Sequence, residues 1–202
     1  MTAKTKAKKE LTLNTTIKYI LIFCGLVGLL ASFTLTYDKI HVLKDPNYIP
    51  SCNINPILSC GSVMKTKQAD FLGIPNTIFG LVGFTVVITI GVMMAAGAKF
   101  AKWFWRWFQV GLTLGLFGVW YLFFEGIFRI NAICPYCFLV WLIVPPLFFY
   151  TLLYNIRSGF INVPKKLAAF MNANHGNILI VYYMVLLGMI LNHFWYYWST
   201  LI

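Results

Sequence analysis

Five apolar stretches of this chain run without a charged side chain for about the length of a membrane span, and they limit what it can fold into. They are residues 19–36, bounded by Lys18 and Asp38; 71–98, between Asp70 and Lys99; 107–124, between Arg106 and Glu125; a segment within the uncharged run 130–156; and about 178–198, beyond Lys165 and Lys166. A helix that crosses the hydrocarbon layer needs roughly 20 apolar residues, and each charge left in it costs about 2.5–3.5 kcal/mol. Only 10% of the chain is charged and 60% is hydrophobic, against about 25% charged in soluble domains. The expected fold class is therefore an all-α membrane protein with five transmembrane helices. The Lys-rich start "MTAKTKAKKE" imitates a signal peptide, but the apolar run behind it is too long and no small-x-small cleavage site follows. It is read as a retained helix.

Five spans put the termini on opposite sides, and the basic residues orient them. One set of alternating loops carries Lys4, Lys6, Lys8, Lys9, Lys18, Lys99, Lys102, Arg106, Arg157, Lys165 and Lys166; the other carries Lys39, Lys44, Lys65, Lys67 and Arg129 beside Asp38, Asp45, Asp70 and Glu125. The Lys-rich side is expected to be cytoplasmic. The formal charge of +11 is then an orientation signal, and no nucleic-acid partner is expected, because no basic face lies in a soluble segment. The clusters "KWFWRWF" and "HFWYYW" fall at span ends, where amphipathic rings anchor.

This topology sets the loop from Tyr37 to Asp70 and the short loop from Glu125 to Ala132 on the outer side. Four of the five cysteines lie in or beside these loops: Cys52 and Cys60, with seven residues between them, and Cys134 and Cys137 in "CPYC". Cys24 is alone in the first span and reads as a small hydrophobe. In the long loop, Asn55 is a candidate cap and Pro56 suits a first helical position, which puts Ile57, Cys60 and Met64 on one face of a short helix directed at the bilayer. "GIPN" starts the second span, with Asn76 in its first turn. Cys134 is the expected cap of the fourth span, with Pro135 first and Cys137 one turn in.

Two cysteine pairs are compatible with zinc, with two structural disulfides, or with exchange. An oxidising outer compartment favours disulfide chemistry over zinc, and no metal site is expected. A Cys-x-x-Cys at a helix start favours exchange over a staple: the free amides of the first turn stabilise a thiolate, and a staple gains more by closing a longer loop. One pair in a loop can meet a soluble protein, and one pair at a helix end can face the membrane, so together they read as a relay. A membrane-borne two-electron acceptor points to a quinone. No glycine fingerprint for a nucleotide cofactor follows a strand, and "GLVGF" and "GLTLGLFG" read as helix-packing glycines. Asn76 is the candidate for polar contact with a quinone carbonyl, or else an interhelical hydrogen bond. Glu125 and Arg129, one turn apart, read as a surface pair.

These features carry a resemblance to bacterial homologues of vitamin K epoxide reductase. It rests on "CNINPILSCGSVM", then "FLGIPNTIFGLVGF", then "WYLFFEGIFRINAICPYC", and covers about residues 17–155. The resemblance implies a four-helix bundle around a quinone of the ubiquinone or menaquinone type, with a short horizontal helix in the outer loop. It implies that Cys137 is the thiol beside the quinone, that Cys134 is its disulfide partner and is attacked by Cys60, and that Cys52 exchanges with the soluble substrate. Asn76 matches the family's quinone-contacting asparagine, and Met64 and Thr66 fall where ring-contacting and hydroxyl residues are usual. Trp141 stands where the vertebrate members carry a tyrosine. The expected organisation is a basic cytoplasmic tail over 1–16, the catalytic bundle over 17–155, and a cytoplasmic loop with a fifth span over 156–202. With no fused thioredoxin-like domain expected after the fifth span, the redox partner is expected to be a separate protein.

The expected function is a quinone-dependent thiol oxidase in a bacterial cytoplasmic membrane, with the N-terminus inside and the cysteines outside. It withdraws electrons from an extracytoplasmic, DsbA-like thioredoxin-fold protein. The same relay run in the reducing direction would act on a quinone epoxide, and a non-catalytic scaffold with two structural disulfides is the alternative outside enzymes.

Overall fold

A computed structural model describes residues 3–45, 47–55, 57–66, 69–71 and 73–199 of the chain. Its elements are α1 (Ala3–Lys44), α2 (Cys60–Met64), a two-stranded hairpin β1 (Asp70–Phe71) and β2 (Ile74–Pro75), α3 (Asn76–Ala95), α4 (Lys102–Phe124), a π-helical turn (Glu125–Ile130), α5 (Pro135–Arg157), α6 (Lys165–Ala173), α7 (His175–His193) and α8 (Trp195–Trp198). Among the described residues, five helices are long and apolar enough to cross a membrane: Thr15–Lys44, Asn76–Ala95, Lys102–Ile130, Pro135–Arg157 and His175–His193. The chain is a multi-pass, all-α membrane protein.

The bundle is built on two central helices: α1 packs along both α3 and α5, and α5 along α4, while α7 touches α5 and the π turn only lightly. Close approach of α1 and α3 depends on small residues. A Cβ at Gly91 would fall 3.0 Å from the backbone nitrogen of Ile22, and one at Gly28 would enter the Phe84 ring. In lipid, where apolar burial does not drive association, such contact is a main source of affinity between helices. Of the glycines expected to pack, Gly80 does so against Ser32, but Gly83, Gly111, Gly115 and Gly118 face open space. A Cβ at any of these four would meet nothing within 4 Å.

Three span ends differ from the charge-bounded expectation, two of them because buried charges find partners inside the protein. Helix α1 runs past Asp38 and Lys39 to Lys44, because both charges are buried and paired: Asp38 accepts from the Tyr48 hydroxyl at 2.9 Å, and Lys39 Nζ donates to the Met64 carbonyl at 2.7 Å and pairs with Asp70 at 3.1 Å. Residues 70–75 are taken by the hairpin, so α3 starts at Asn76. The third span continues through Glu125, whose side chain is only 3% exposed and pairs with Arg129 at 2.9 Å.

The loop helix also differs. It spans Cys60–Met64 with Ser59 as its cap, accepting from Ser62 N at 3.2 Å, whereas a start at Asn55 was expected. The backbone of Ile57 to Ser59 is committed elsewhere, to a bridge with Ile133 described below, and Asn55 Oδ1 instead accepts from Ile57 N and Leu58 N in a tight turn. Pro56 lies outside the described residues.

Helix α5 contains Pro145 and Pro146. A proline has no N–H, so Pro146 leaves the Leu142 carbonyl without its helical donor. Tyr183 of α7 supplies one: its hydroxyl donates to Leu142 O at 2.6 Å. In the membrane such a carbonyl needs a partner from a neighbouring helix. Tyr183→Phe is expected to lower stability by about 1 kcal/mol, read as a lower unfolding midpoint of the detergent-solubilised protein.

Candidate functional site

The site forms at one end of the bundle, where the loop after α1 meets the π turn and the start of α5. Three cysteines are packed into one buried cluster with Leu35 and Met64: Cys52, Cys60 and Cys134. Cys52 and Cys60 are joined by a disulfide, with Cα atoms 5.7 Å apart. Asn53 fixes the geometry beside it, because its Oδ1 accepts from Gly61 N at 2.8 Å and from Ser59 Oγ at 3.2 Å, tying the segment after Cys52 to the start of α2.

Cys134 and Cys137 are free thiols. Cys134 is the N-cap of α5, Pro135 its first residue and Cys137 a residue of its first turn. The Cys134 sulfur lies 3.1 Å from that of Cys60. A backbone clamp holds the two there: Ile133 N donates to Ile57 O at 2.7 Å and Ser59 N donates to Ile133 O at 3.1 Å, a parallel bridge of Leu58 with Ile133 just before the two cysteines. Asn131 delivers the chain into this clamp with φ of 55°, in the left-handed region that asparagine tolerates, and its side chain meets His193 of α7 at 2.8 Å.

The electrostatics favour a thiolate at Cys134. Hydrogen bonding from the Cys137 thiol, aided by the backbone N–H groups of Cys137 and Tyr136, holds Cys134 below the ordinary thiol range in spite of burial and of Asp38 nearby. The thiolate is the species that attacks a disulfide, so this fits exchange with Cys60. Asp38 also approaches the outer pair: Cys52 Sγ is 3.9 Å from its Oδ2. Its other oxygen accepts from the Tyr48 hydroxyl, and that hydrogen bond pushes the phenol above its ordinary range.

Beneath the sulfurs is a narrow cavity of about 70 Å³, lined by Cys60, Met64, Cys134, Cys137, Asn76, Thr77, Glu125 and Trp141 among mostly apolar side chains. The site residues expected from the sequence therefore come together, with one exception. Thr66 donates to Val63 O at 2.8 Å and lines a neighbouring outer pocket with Lys39, Lys65 and Asp70. The sulfur expected to meet a soluble substrate, Cys52, is only 5% exposed. Sequence reasoning missed Thr77 and Glu125. Thr77 Oγ1 and Glu125 Oε2 are buried with no hydrogen-bond partner among the described residues. For Glu125 the signal was available, because Gly126, Ile127 and Phe128 prolong the apolar run past it.

A membrane bundle that presents a disulfide to a third thiol, above an apolar cavity holding the fourth, defines a membrane-embedded redox protein of the dithiol class. Residues 19–152 match the vitamin K epoxide reductase family, and the chain belongs to that family. Membership makes it an oxidoreductase with a quinone-linked redox role. The cavity suits a quinone: its walls are mainly apolar, a thiol opens on it, and two buried polar oxygens without partners are available to carbonyl or hydroxyl groups.

Proposed function

We propose that the protein is a quinone-dependent thiol oxidase that reoxidises an extracytoplasmic thioredoxin-fold dithiol protein and so supports disulfide formation. The observation that carries this reading is the 3.1 Å separation between Cys134 and the Cys52–Cys60 disulfide. The Lys and Arg distribution supports a bacterial cytoplasmic membrane with the N-terminus inside, the cysteines outside and the catalytic unit within 17–155.

In this mechanism the partner's thiolate attacks Cys52, and the partner leaves oxidised as Cys52 and Cys60 take up two electrons. The Cys60 thiolate then attacks Cys134 in the Cys134–Cys137 disulfide. The 60–134 bond forms, the 134–137 bond breaks and Cys137 leaves as a thiolate. Cys52 next attacks Cys60: the 52–60 bond forms again, the 60–134 bond breaks, and the inner pair holds both electrons. That state has the sulfur connectivity described above, an oxidised outer pair over two inner thiols. A bound quinone supplies an acceptor for two electrons and two protons. Asn76, Met64 and Thr77 line its place beside Cys137, while Thr66 acts at a distance, by closing the end of α2.

The test is complementation of bacteria that lack their membrane thiol oxidase. The chain is expected to restore the oxidised state of the periplasmic dithiol carrier, and acid quenching with alkylation is expected to trap all four cysteines in mixed oxidation states. Restored epoxide reduction without carrier oxidation, or four cysteines fixed as reductant-resistant disulfides, would refute the proposal.

A further inference from the structure

Glu125 is a buried carboxylate that the sulfur relay does not use. It sits at the first position of the π turn, an irregularity of the kind often found at functional sites. Its two oxygens have different surroundings. Oε1 is held at 2.9 Å by Arg129, whose side chain is 63% exposed, whereas Oε2 is buried without a hydrogen-bond partner among the described residues. The residue lines the cavity together with Cys137 and Cys134. An ion pair serving stability alone leaves this unexplained, since an unsatisfied buried carboxylate oxygen costs more than a surface pair returns.

We propose that Glu125 is the proton-transfer residue of the quinone cavity. The inference rests on the quinone-linked reading above. Closing the disulfide from the Cys134 thiolate and the Cys137 thiol breaks one S–H bond, makes one S–S bond and releases two electrons and one proton, while the proton already shed by Cys134 is the second that the quinone takes up. Glu125 Oε2 takes the Cys137 proton as that sulfur gives up its electrons, and returns it on the quinone side of the cavity, so that the carboxylate is regenerated each cycle. The second proton comes from the Cys134 side. Arg129 keeps the carboxylate in place through Oε1 and leaves Oε2 for the cavity. The other titratable groups that line the cavity with it are Cys60 from α2 and Cys134 and Cys137 from the start of α5, while His193 of α7 is held by Asn131.

The test uses the full chain in detergent with Glu125→Gln, which keeps shape and an oxygen for Arg129 but cannot carry the proton. Two measurements are made. The first is the pH profile of Cys137 alkylation in quinone-free protein, with Cys134 replaced by serine. The second is the single-turnover rate at which the reduced inner pair reduces a short-chain quinone. The variant is expected to displace the alkylation profile, to lose about 100-fold in single-turnover rate near neutral pH, and to flatten its pH dependence. Glu125→Asp, which retains the acid, is expected to restore most of the rate and its pH dependence. It also serves as the decisive variant should Gln fail to accumulate, in which case a pH-independent rate refutes the assignment. An alkylation profile that coincides with that of the unmutated protein, or a displaced profile with an unchanged rate, overturns the proposal. Failure of the unmutated chain to reduce quinone at all would instead overturn the proposed function.

Discussion

Cys137→Ser is expected to stop electron delivery to the quinone, with a loss on the order of 10³-fold or more, as when a reacting nucleophile is removed. The more informative effect is on the remaining sulfurs. Without Cys137, Cys134 has no resolving partner in α5, and the nearest sulfur is Cys60 at 3.1 Å. Oxidised protein should then accumulate a Cys60–Cys134 disulfide with Cys52 free, seen by mass mapping of non-reduced peptides. A Cys52–Cys60 disulfide with an unreacted Cys134 under the same conditions would show that the short contact is packing and not a transfer step. Cys134→Ser, by contrast, should leave the outer pair closed and cut off from the quinone.

The second large effect is expected from a residue with no reactive group. Ile133→Pro removes the N–H that donates to Ile57 O at 2.7 Å and so opens half of the clamp between the two cysteine segments. Both pairs remain, yet a displacement of about 1 Å between Cys60 and Cys134 is expected to slow transfer about 100-fold. Stopped-flow mixing of reduced carrier with the oxidised protein should show normal reduction of Cys52–Cys60 and slow reduction of the inner pair. If both steps keep their rates, the clamp does not set the alignment. Ile133→Val, which keeps the N–H, is the control.

These two predictions draw on unequal amounts of sequence information. The five spans, the helix start at "CPYC" and the grouping of Asn76 with the cysteines were legible because each is local: an apolar run, a proline at a first helical position, a cap. The span ends were not. A charge marks the edge of a helix only where water is its partner, and Asp38, Lys39 and Glu125 find partners inside the protein. The clamp was invisible for a related reason, since it pairs the backbones of residues 57–59 and 133 and leaves no trace in side-chain pattern. It also displaced the loop helix from Asn55 to Cys60. Nor could the spacing of glycines say which would find a neighbouring helix, as Gly80 does and Gly115 does not.

The fifth span lies beyond the matched family region, which ends at residue 152. It is nonetheless joined to the site-bearing part through Tyr183 on the carbonyl freed by Pro146, through His175 on the Tyr150 hydroxyl, and through His193 on Asn131 at the entry to the clamp. These contacts brace the helix that carries Cys134 and Cys137.

The burial of Cys52 matters for what the relay excludes. A quinone is a strong enough oxidant to drain electrons from any thiol wired to it, so an open outer disulfide would be a short circuit for every small thiol in the compartment. With Cys52 only 5% exposed and Cys60 and Cys134 deeper still, the circuit is insulated. In the proposed relay, a dithiol partner is therefore expected to displace some of the chain that covers Cys52 before it reaches the sulfur.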